Sequence, residues 1–378
     1  MTHIGTATIQ DHFSGLTDPR VERTKHHPLI NIVTIAICAV ICGAETWVDI
    51  EMYGKSKQDW LAGFLDLAKG IPSHDTFGRV FARIDPEEFQ SHFLSWIRAV
   101  FEVSNGQVIA FDGKQLRRSH DHANGKDAIY MVSAWAVANG LVLGQVKVDD
   151  KSNEITAIPE LLSFLELAGC IVTIDAIGTQ VAIAAQIIDQ QADYVLALKG
   201  NQGVIHEAVV VLFDDALSNN FSRLKHDFIQ TVDGNHGRLE IRRHWITSDI
   251  GWLPQVTGKP LWPGLRSIGM VRVQRRIGEQ TTESTRYYLS SLEANAATFA
   301  DAVRSHWRIE NSLHWVLDIA FREDECRIRK DHAPQNFAVL RHIALNLLRQ
   351  EKTAKVGVKA KRLKAAWNND YLLKVLSN

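Results

Sequence analysis

The sequence predicts a mixed α/β fold in which a helical first hundred residues precede a central β-sheet. Apolar residues recur at helical spacing up to about residue 100. From Gln107 to Leu198, short β-branched runs alternate with amphipathic stretches in the order β-β-β-α-β-α-β. An antiparallel meander followed by right-handed crossovers gives a mixed five-stranded sheet with helices on both faces. The predicted strands are residues 108–111, 127–139, 141–148, 170–174 and 194–198, and the helices are residues 157–167 and 179–190.

Composition describes an ordinary globular protein. The chain has 378 residues, 46% hydrophobic and 22% charged, with a formal net charge of −1, so nucleic-acid binding must come from local basic patches. Among four cysteines only Cys38 and Cys42 lie close together, and no second pair completes a zinc site. We therefore expect reduced cysteines and a cytoplasmic protein. The longest apolar run, residues 29–44, is short for a membrane span and predicts a buried helix, with no membrane role.

Changes of pattern divide the chain into four parts. We expect a helical N-terminal domain (1–103), a sheet domain (104–202 with 298–350), a mostly β insertion (203–297) and a basic helical tail (351–378). In the first part, helices are predicted over residues 29–44, 47–53, 58–67 and 87–100, with another after Ser73 as N-cap. A turn at Gly70, followed by that capped helix carrying His74, Arg79 and Arg83, is compatible with a helix-turn-helix DNA reader. An ordinary helical bundle is the alternative.

The insertion and the tail carry many basic residues. Strands are predicted over residues 228–232, 237–247, 267–277 and 284–290. Arginines interleaved with tryptophans in the insertion can bind phosphates and stack on bases. Those tryptophans are equally explained as the small core of the insertion. The tail suits contact with a polyanion, or it is a solvated helix face.

A carboxylate, Asp112, follows the apolar run 108–111. Burying a lone aspartate costs several kcal/mol unless something neutralises it. The nearest basic residues are Lys114, Arg117 and Arg118. An acid on a core strand followed by basic residues suits a site for a metal ion and a phosphate backbone. The alternative is an aspartate that opens a turn before Gly113.

Two further acids complete the pattern. Asp175 ends the fourth predicted strand, and Glu310 lies on a helix predicted from Thr298, with His306 and His314 four residues to either side. The predicted strand order is the ribonuclease-H-like arrangement, in which the first and fourth strands are neighbours. We therefore expect Asp175 beside Asp112. The His-x₃-Glu-x₃-His spacing could suggest zinc, but nothing else in the sequence completes such a site.

Two aspartates and a glutamate form an all-oxygen site, which favours Mg²⁺ or Mn²⁺. Two such ions would activate water or a 3′-hydroxyl and stabilise the leaving oxygen in an in-line attack on phosphorus. The cations expected to position DNA are Lys114, Arg117, Arg118 and Lys199. No organic cofactor is expected.

At this point the motifs resemble a known family, the DDE transposases of bacterial insertion sequences, of the H-repeat-associated type related to the IS-four group. The resemblance spans nearly the whole chain in order. The matching segments are DPRVERTKHHPL at 18–29, GIPSHDTFGRVFARIDP at 70–86, IAFDGKQLRRS at 109–119, KSNEI at 151–155, DAIGTQ at 175–180, ALKGNQ at 197–202, HGRLE at 236–240 and HWRIENSLHWVLDIAFRED at 306–324.

The resemblance implies a metal-dependent enzyme that cleaves and joins DNA at the ends of its own element. By position, it implies a catalytic and metal-binding triad of Asp112, Asp175 and Glu310. Its partners would be double-stranded DNA, as terminal inverted repeats and target DNA, and a second copy of the chain in a homodimer. It would associate with the nucleoid when bound to DNA.

The sequence departs from the related IS-four group around the glutamate. That group carries a Tyr-x₂-Arg-x₃-Glu-x₆-Lys signature, whereas this chain has Val303, His306 and Leu317 at the Tyr, Arg and Lys places. The missing phosphate contacts are expected from His306, Arg308 or His314. Glu323 and Asp324 are the alternative third acids. Two other functions stay open: an inactive DNA-binding descendant of a transposase, and a metal-dependent nuclease that does not join strands.

Overall fold

The structure is a computed structural model, and it describes residues 9–100, 105–120, 127–148, 153–235 and 238–377. The predicted domain boundary at 103–104 lies outside the described residues, as do residues 149–152 of the predicted loop and residues 236–237 of the insertion. In the described parts of the chain, no helix is both long enough and apolar enough to cross a membrane.

The first part of the chain is helical, as predicted. Its described residues form α1 (Ile9–Phe13), α2 (Leu29–Ile41), α3 (Trp47–Ser56), α4 (Gln58–Leu61), α5 (His74–Phe81) and α6 (Pro86–Val100). Helix α2 is apolar on all sides, and all its residues except Ile30 are buried, which is the pattern of a central core helix. The predicted cap is confirmed, because the side chain of Ser73 accepts a hydrogen bond from the backbone N–H of Thr76.

The connection before α5 is longer than the turn of an ordinary helix-turn-helix, and DNA contact by this region stays a prediction. Such a motif joins two helices by three or four residues. Here α4 ends at Leu61 and α5 begins at His74, and the connection contains Gly70 in a left-handed conformation (φ 72°). Helix α5 packs against α3 instead. This packing is compatible with the alternative, an ordinary helical bundle.

The predicted mixed sheet is confirmed. Its first five strands are β1 (Val108–Gln115), β2 (Tyr130–Ala136), β3 (Leu141–Val148), β4 (Ile171–Ile174) and β5 (Asp193–Leu198), in the spatial order β3-β2-β1-β4-β5. Strand β1 pairs antiparallel with β2 and parallel with β4, as the sequence predicts. Helices α7 (Glu154–Ser163) and α8 (Val181–Asp189) make the crossovers. Helix α7 begins before the predicted position because the side chain of Asn153 caps it.

The strands of the insertion extend the same sheet, which the sequence does not predict. After α9 (Gly203–Ser218) come β6 (Asp227–Asn235), β7 (Arg238–Thr247), α10 (Leu253–Thr257), β8 (Ser267–Ile277) and β9 (Gln280–Ser290). Strand β9 pairs antiparallel with β5, and the order continues β9-β8-β7-β6 to give nine strands. Trp245 is buried and stacks on Phe221, and Trp262 is buried, so these tryptophans belong to the core of the insertion.

Helices cover both faces of the sheet. Helix α11 (Ala296–Ile309) packs Phe299 and Val303 against Val108 of β1 and its neighbours on β4 and β5. Successive side chains of a strand point to opposite faces, so Ile109 belongs to the other, larger core, which α7 and α8 cover.

The C-terminal helices join the helical region to the sheet. Helix α13 (Ala333–Gln350) packs against both α2 and β3, and α14 (Val358–Trp367) and α15 (Asn369–Leu376) follow it. The guanidinium of Arg362 donates to the carbonyl oxygen of Val40 at the end of α2, and the ammonium of Lys361 donates to that of Leu348. Both side chains are buried. The prediction that tail residues contact a polyanion is therefore wrong for these two.

Candidate active site

The pairing of β1 with β4 brings two of the predicted acids to one edge of the sheet. Phe111 lies opposite Ile174 at the last paired position, so Asp112 and Asp175 come one residue later on neighbouring strands. Asp112 is four residues from Val108, which packs against α11, and it therefore lies on the same face of the strand. The Oδ1 atom of Asp175 accepts hydrogen bonds from the backbone N–H groups of Ile177 (3.1 Å) and Gly178 (3.4 Å), which orient this carboxylate.

The third predicted acid lies on an irregular part of the covering helix. Helix α11 continues through a π-helical turn, Glu310–His314, into α12 (Trp315–Phe321). The sequence predicts an uninterrupted α-helix here. A π-helical turn widens the backbone locally and occurs often at functional sites. The ring Nδ1 of His306, in the preceding turn, is 3.1 Å from the hydroxyl oxygen of Thr173, which ties the helix to β4.

Asp112, Glu310 and His314 form a compact cluster. One potential metal-ligating atom from each lies within 4.8 Å of the others. The Nδ1 atom of His314 donates to Oε2 of Glu310 at 2.8 Å and lies 3.6 Å from Oδ2 of Asp112. The imidazole thus bridges the two carboxylates. Asp175 is not a member of this close cluster.

All three acids nevertheless border one cavity of about 320 Å³. The cavity lies between the edge of the sheet and α11, and Lys199 and His306 also line it. The structure therefore brings together five of the predicted site residues. Lys199 is exposed, as a residue that contacts a large ligand must be.

The two clustered carboxylates have opposite pKa shifts. Burial raises the pKa of Asp112 to about 7, and the negative charges of Glu310 and Asp175 add to the rise, whereas His314 opposes it. The hydrogen bond from His314 lowers the pKa of Glu310. Burial lowers the pKa of His306 to about 4, so this ring is neutral at neutral pH. A divalent cation would favour the charged form of Asp112 and cancel the repulsion between the acids.

The alternative third acids have other partners. Glu323 is buried, its Oε2 atom is 2.9 Å from Nζ of Lys114, and its Oε1 atom is 3.6 Å from the guanidinium of Arg341. Asp324 forms an ion pair with Arg117 at 3.2 Å. Neither carboxylate is in the cluster of Asp112 with Glu310.

The predicted DNA-binding cations fall into two groups. Lys114 is largely buried, and its ammonium is bound by Asp318 and Glu323, so protein carboxylates rather than phosphates satisfy it here. Arg117, Arg118 and Arg308 are exposed, and their contact with DNA stays a prediction. The predicted phosphate contact by His314 has no support in its position, since this buried ring bonds Glu310.

Glu154, in the motif KSNEI, lies beside the site although no pattern in the sequence indicates a role for it. Its side chain is buried, interacts with the hydroxyl of Tyr130, and lies close to the backbone of Gly113. A Cβ atom at Gly113 would be 2.3 Å from both Oε1 of Glu154 and Cε1 of Tyr130. Only glycine leaves room for this pair directly behind Asp112.

Acids on two neighbouring strands and a covering helix define a site suited to a divalent cation. Comparison with known protein families points to a class of proteins with such acids. A model described as "Transposase DDE domain" matches residues 104–347. A second, described as "DDE_Tnp_1-associated", matches residues 10–97. The chain belongs to the DDE transposase family.

Similar proteins carry consistent names. The chain is 43% identical over 375 residues to "Putative transposase YncI" of Escherichia coli O157:H7, covering 98% of this chain and 95% of that protein. It is 41% identical over 373 residues to "H repeat-associated putative transposase YhhI" of Escherichia coli K12, covering 98% and 97%. The resemblance to the H-repeat-associated type is thus confirmed.

A short relative and a solved structure are also similar. "Inactive transposase YbfQ" of Escherichia coli K12 is 41% identical over 75 residues, 20% of this chain and 89% of that protein. A piggyBac transposase in a synaptic complex with hairpin DNA has a TM-score of 0.40 at 11% identity, covering 95% of this chain and 76% of that one.

We expect Asp112→Asn to stabilise the metal-free protein at pH 8 and to have little effect near pH 4. The folded-state pKa of Asp112 is raised from the ordinary 3.8 to about 7, so its contribution to stability is present at low pH and lost as pH rises through about 7. The expected gain at pH 8 is on the order of 2 kcal/mol. Urea unfolding in EDTA between pH 4 and 8 measures it. Asp301→Asn, exposed on α11, is the control, and parallel profiles for Asp112→Asn and the wild type would contradict the prediction.

We expect Lys114→Met to lower the free energy of unfolding by about 3 kcal/mol, because it leaves buried Glu323 short of a cation. Glu323→Gln in the same chain should recover part of that loss, which a double-mutant cycle measures. Arg118→Ala removes an exposed cation from the same segment and should cost less than about 0.5 kcal/mol. Equal effects of the Lys114 and Arg118 substitutions would show that the ion pairs are unimportant.

We expect Gly113→Ala to destabilise the protein by about 1–3 kcal/mol, because the new methyl group must displace Glu154 and Tyr130. Gly251→Ala is a matched control, since a Cβ there meets nothing within 4 Å. Chemical denaturation of both variants measures the difference. A Gly113→Ala protein as stable as the control would show that Glu154 and Tyr130 move aside without cost.

Proposed function

We propose that this protein is an active DNA transposase that cleaves and joins DNA at the ends of an insertion sequence. The observation that carries the proposal is the convergence of Asp112, Asp175 and Glu310, distant in sequence, on one cavity of about 320 Å³. The strand order β3-β2-β1-β4-β5 with two parallel pairs supports a ribonuclease-H-like catalytic core. Membership of the DDE transposase family supports the reaction class.

The donor set fits Mg²⁺ or Mn²⁺. Asp112 and Glu310 provide oxygen atoms close together, and Asp175 adds a third carboxylate at the same cavity. When bound there, two such ions would activate the attacking oxygen and stabilise the leaving oxygen at phosphorus. His314 donates to Glu310 and so orients that carboxylate, in the manner of residues that support metal ligands.

Cleavage and joining are the same exchange at phosphorus. In cleavage, the oxygen of water bonds to phosphorus, the bond to the 3′-oxygen breaks, and that oxygen leaves as a 3′-hydroxyl with the proton that the water gives up. In joining, this 3′-hydroxyl gives up its proton and bonds to a phosphorus of the target, whose bond to the target strand's own 3′-oxygen breaks, and that leaving oxygen takes the proton. Lys199 is exposed and lines the cavity, which supports its proposed contact with a nonbridging phosphate oxygen. Arg118 and Arg308 are exposed cations available to the flanking duplex, and Arg117 is exposed beside its partner Asp324.

The partners follow from this function. The substrate is double-stranded DNA carrying the terminal inverted repeats, and the product joins these ends to target DNA. Two ends must be processed together, so we propose a homodimer on DNA. The protein would act in the cytoplasm, on the nucleoid.

We expect Asp112→Asn, Asp175→Asn and Glu310→Gln each to reduce DNA cleavage by at least about a thousandfold, because each removes a negative oxygen from the metal site. DNA binding should persist. The assay uses purified protein, a duplex from the end of the encoding element, and Mg²⁺ or Mn²⁺; Asp301→Asn on α11 is the control.

Three outcomes would contradict parts of the proposal. Binding without nicking by the wild type in either metal would leave a DNA-binding protein without catalysis. Nicked products without joined strands would leave a nuclease. Cleavage that survives in Glu310→Gln but is lost in a folded Glu323→Gln variant would move the third acid to Glu323.

A further inference from the structure

A second cleft lies apart from the acidic cavity, where the helical region meets the segment that precedes α13. It has a volume of about 960 Å³. The start of α3 and one side of α5 form one wall, and residues 327–331 form the other. We call it the junction cleft. None of the three proposed catalytic acids lines it.

The junction cleft is rich in positive charge. Arg79, Arg327, Arg329 and Lys330 line it, against two carboxylates, Asp75 and Asp331. Arg79, Arg327 and Lys330 are exposed, and among the described residues none of the three forms an ion pair. Like charges gathered in a concave surface repel one another, and a bound anion relieves that repulsion.

A hydrogen bond connects the cleft to the loop after β1, which carries two more cations. The Nε atom of Arg329 donates to the carbonyl oxygen of Arg118 at 2.9 Å, which holds the loop after β1 against the cleft. Arg117 and Arg118 are exposed on that loop. Six residues of extended chain, from Asp112 to Arg118, span at most about 20 Å. That length corresponds to about six base pairs of duplex, so one DNA molecule can reach both places.

The aromatic residue of the cleft favours a phosphate ligand over a nucleobase. Trp47 stacks on Phe81 with ring centroids 5.2 Å apart, and the ring of Phe337 meets it edge-on at 5.1 Å. Its indole is therefore part of a packed wall rather than a free surface for a base. The side chains that remain available are flexible cations, which bind the phosphate backbone without reading sequence.

We propose that the junction cleft binds backbone phosphates of the same duplex whose scissile phosphate enters the acidic cavity. This assignment rests on the proposed function and adds to it a DNA contact supplied jointly by the helical region and the segment 327–331. The contact anchors the duplex without specifying its sequence.

The test compares two full-length triple variants. Arg79→Ala with Arg327→Ala and Lys330→Ala removes the three exposed cations that line the cleft. Arg223→Ala with Lys225→Ala and Lys259→Ala removes the same charge from exposed positions in the insertion. Fluorescence anisotropy in EDTA, over a salt series, measures binding to two duplexes of equal length: one from the end of the encoding element and one of shuffled sequence.

We expect the cleft variant to bind both duplexes at least about tenfold more weakly, and the slope of log K against log salt to fall by about 2.7, or 0.9 for each lost phosphate contact. The control variant should differ little from the wild type. Each single substitution should change the slope by about 0.9, which preserves the test if the triple variant does not fold.

Equal binding by the cleft and control variants would overturn the assignment, and so would a loss confined to the element-end duplex, which would indicate base reading. Wild-type cleavage of the same duplex in Mg²⁺ or Mn²⁺ is scored separately. If the wild type cleaves the duplex but the cleft variant binds it as well as the control variant does, only the assignment of the cleft is rejected. If the cleft variant binds more weakly but the wild type does not cleave the duplex, the catalytic proposal is rejected and the cleft stays as a site for backbone phosphates.

Discussion

The parallel pairing of β1 with β4 is the constraint on which the acidic cavity depends. With Phe111 opposite Ile174, the next residue on each strand is an aspartate, and both strands end their pairing at the same level. A slip of one residue would turn Asp112 into the core that Phe111 now occupies, at a cost of several kcal/mol for a buried charge. The apolar residues of both strands, which must face their own cores, therefore also align the acids.

Helix α11 then determines what faces those acids. Phe299 and Val303 anchor it to the sheet, and the hydrogen bond between His306 and Thr173 holds it at β4. The wider turn that follows brings Glu310 and His314 toward Asp112. Beyond it, Asp318 and Glu323 bind Lys114 two residues along β1 from Asp112. Strand and helix are thus joined by charge on one side of the cavity and by apolar packing on the other.

The sequence predicted the parts of the molecule in which local pattern and packing agree. Strand β1, its neighbour β4 and the capped helix α5 were predicted because apolar runs, turn residues and a serine cap mark them. The π-helical turn was not, since the heptapeptide around Glu310 reads as ordinary helix and the wider turn arises from tertiary contacts. Nor could the pairing of β9 with β5 be predicted, because a non-local strand pair leaves no signal in either strand alone.

The same distinction applies to the charged residues. Asp112, Asp175 and Glu310 were predicted because carboxylates at the end of core strands and between histidines are unusual; they line one cavity, and their catalytic role stays a prediction. Lys114 was predicted to position DNA because a cation beside a proposed metal site looks available, and its carboxylate partners, Asp318 and Glu323, are known only from the structure. Glu154 was overlooked since its importance comes from Gly113, whose missing side chain leaves the space it fills.

The antiparallel pairing of β5 with β9 limits how the insertion can move. Four consecutive residue pairs, from Val195 with Ser290 to Leu198 with Tyr287, bond the insertion to the strand that leads into Lys199. An insertion attached in this way cannot swing on a hinge as a lid would, because rotation would break the ladder. It can move only as the whole sheet flexes. The distal strands β6 to β8 therefore keep their orientation relative to the acids.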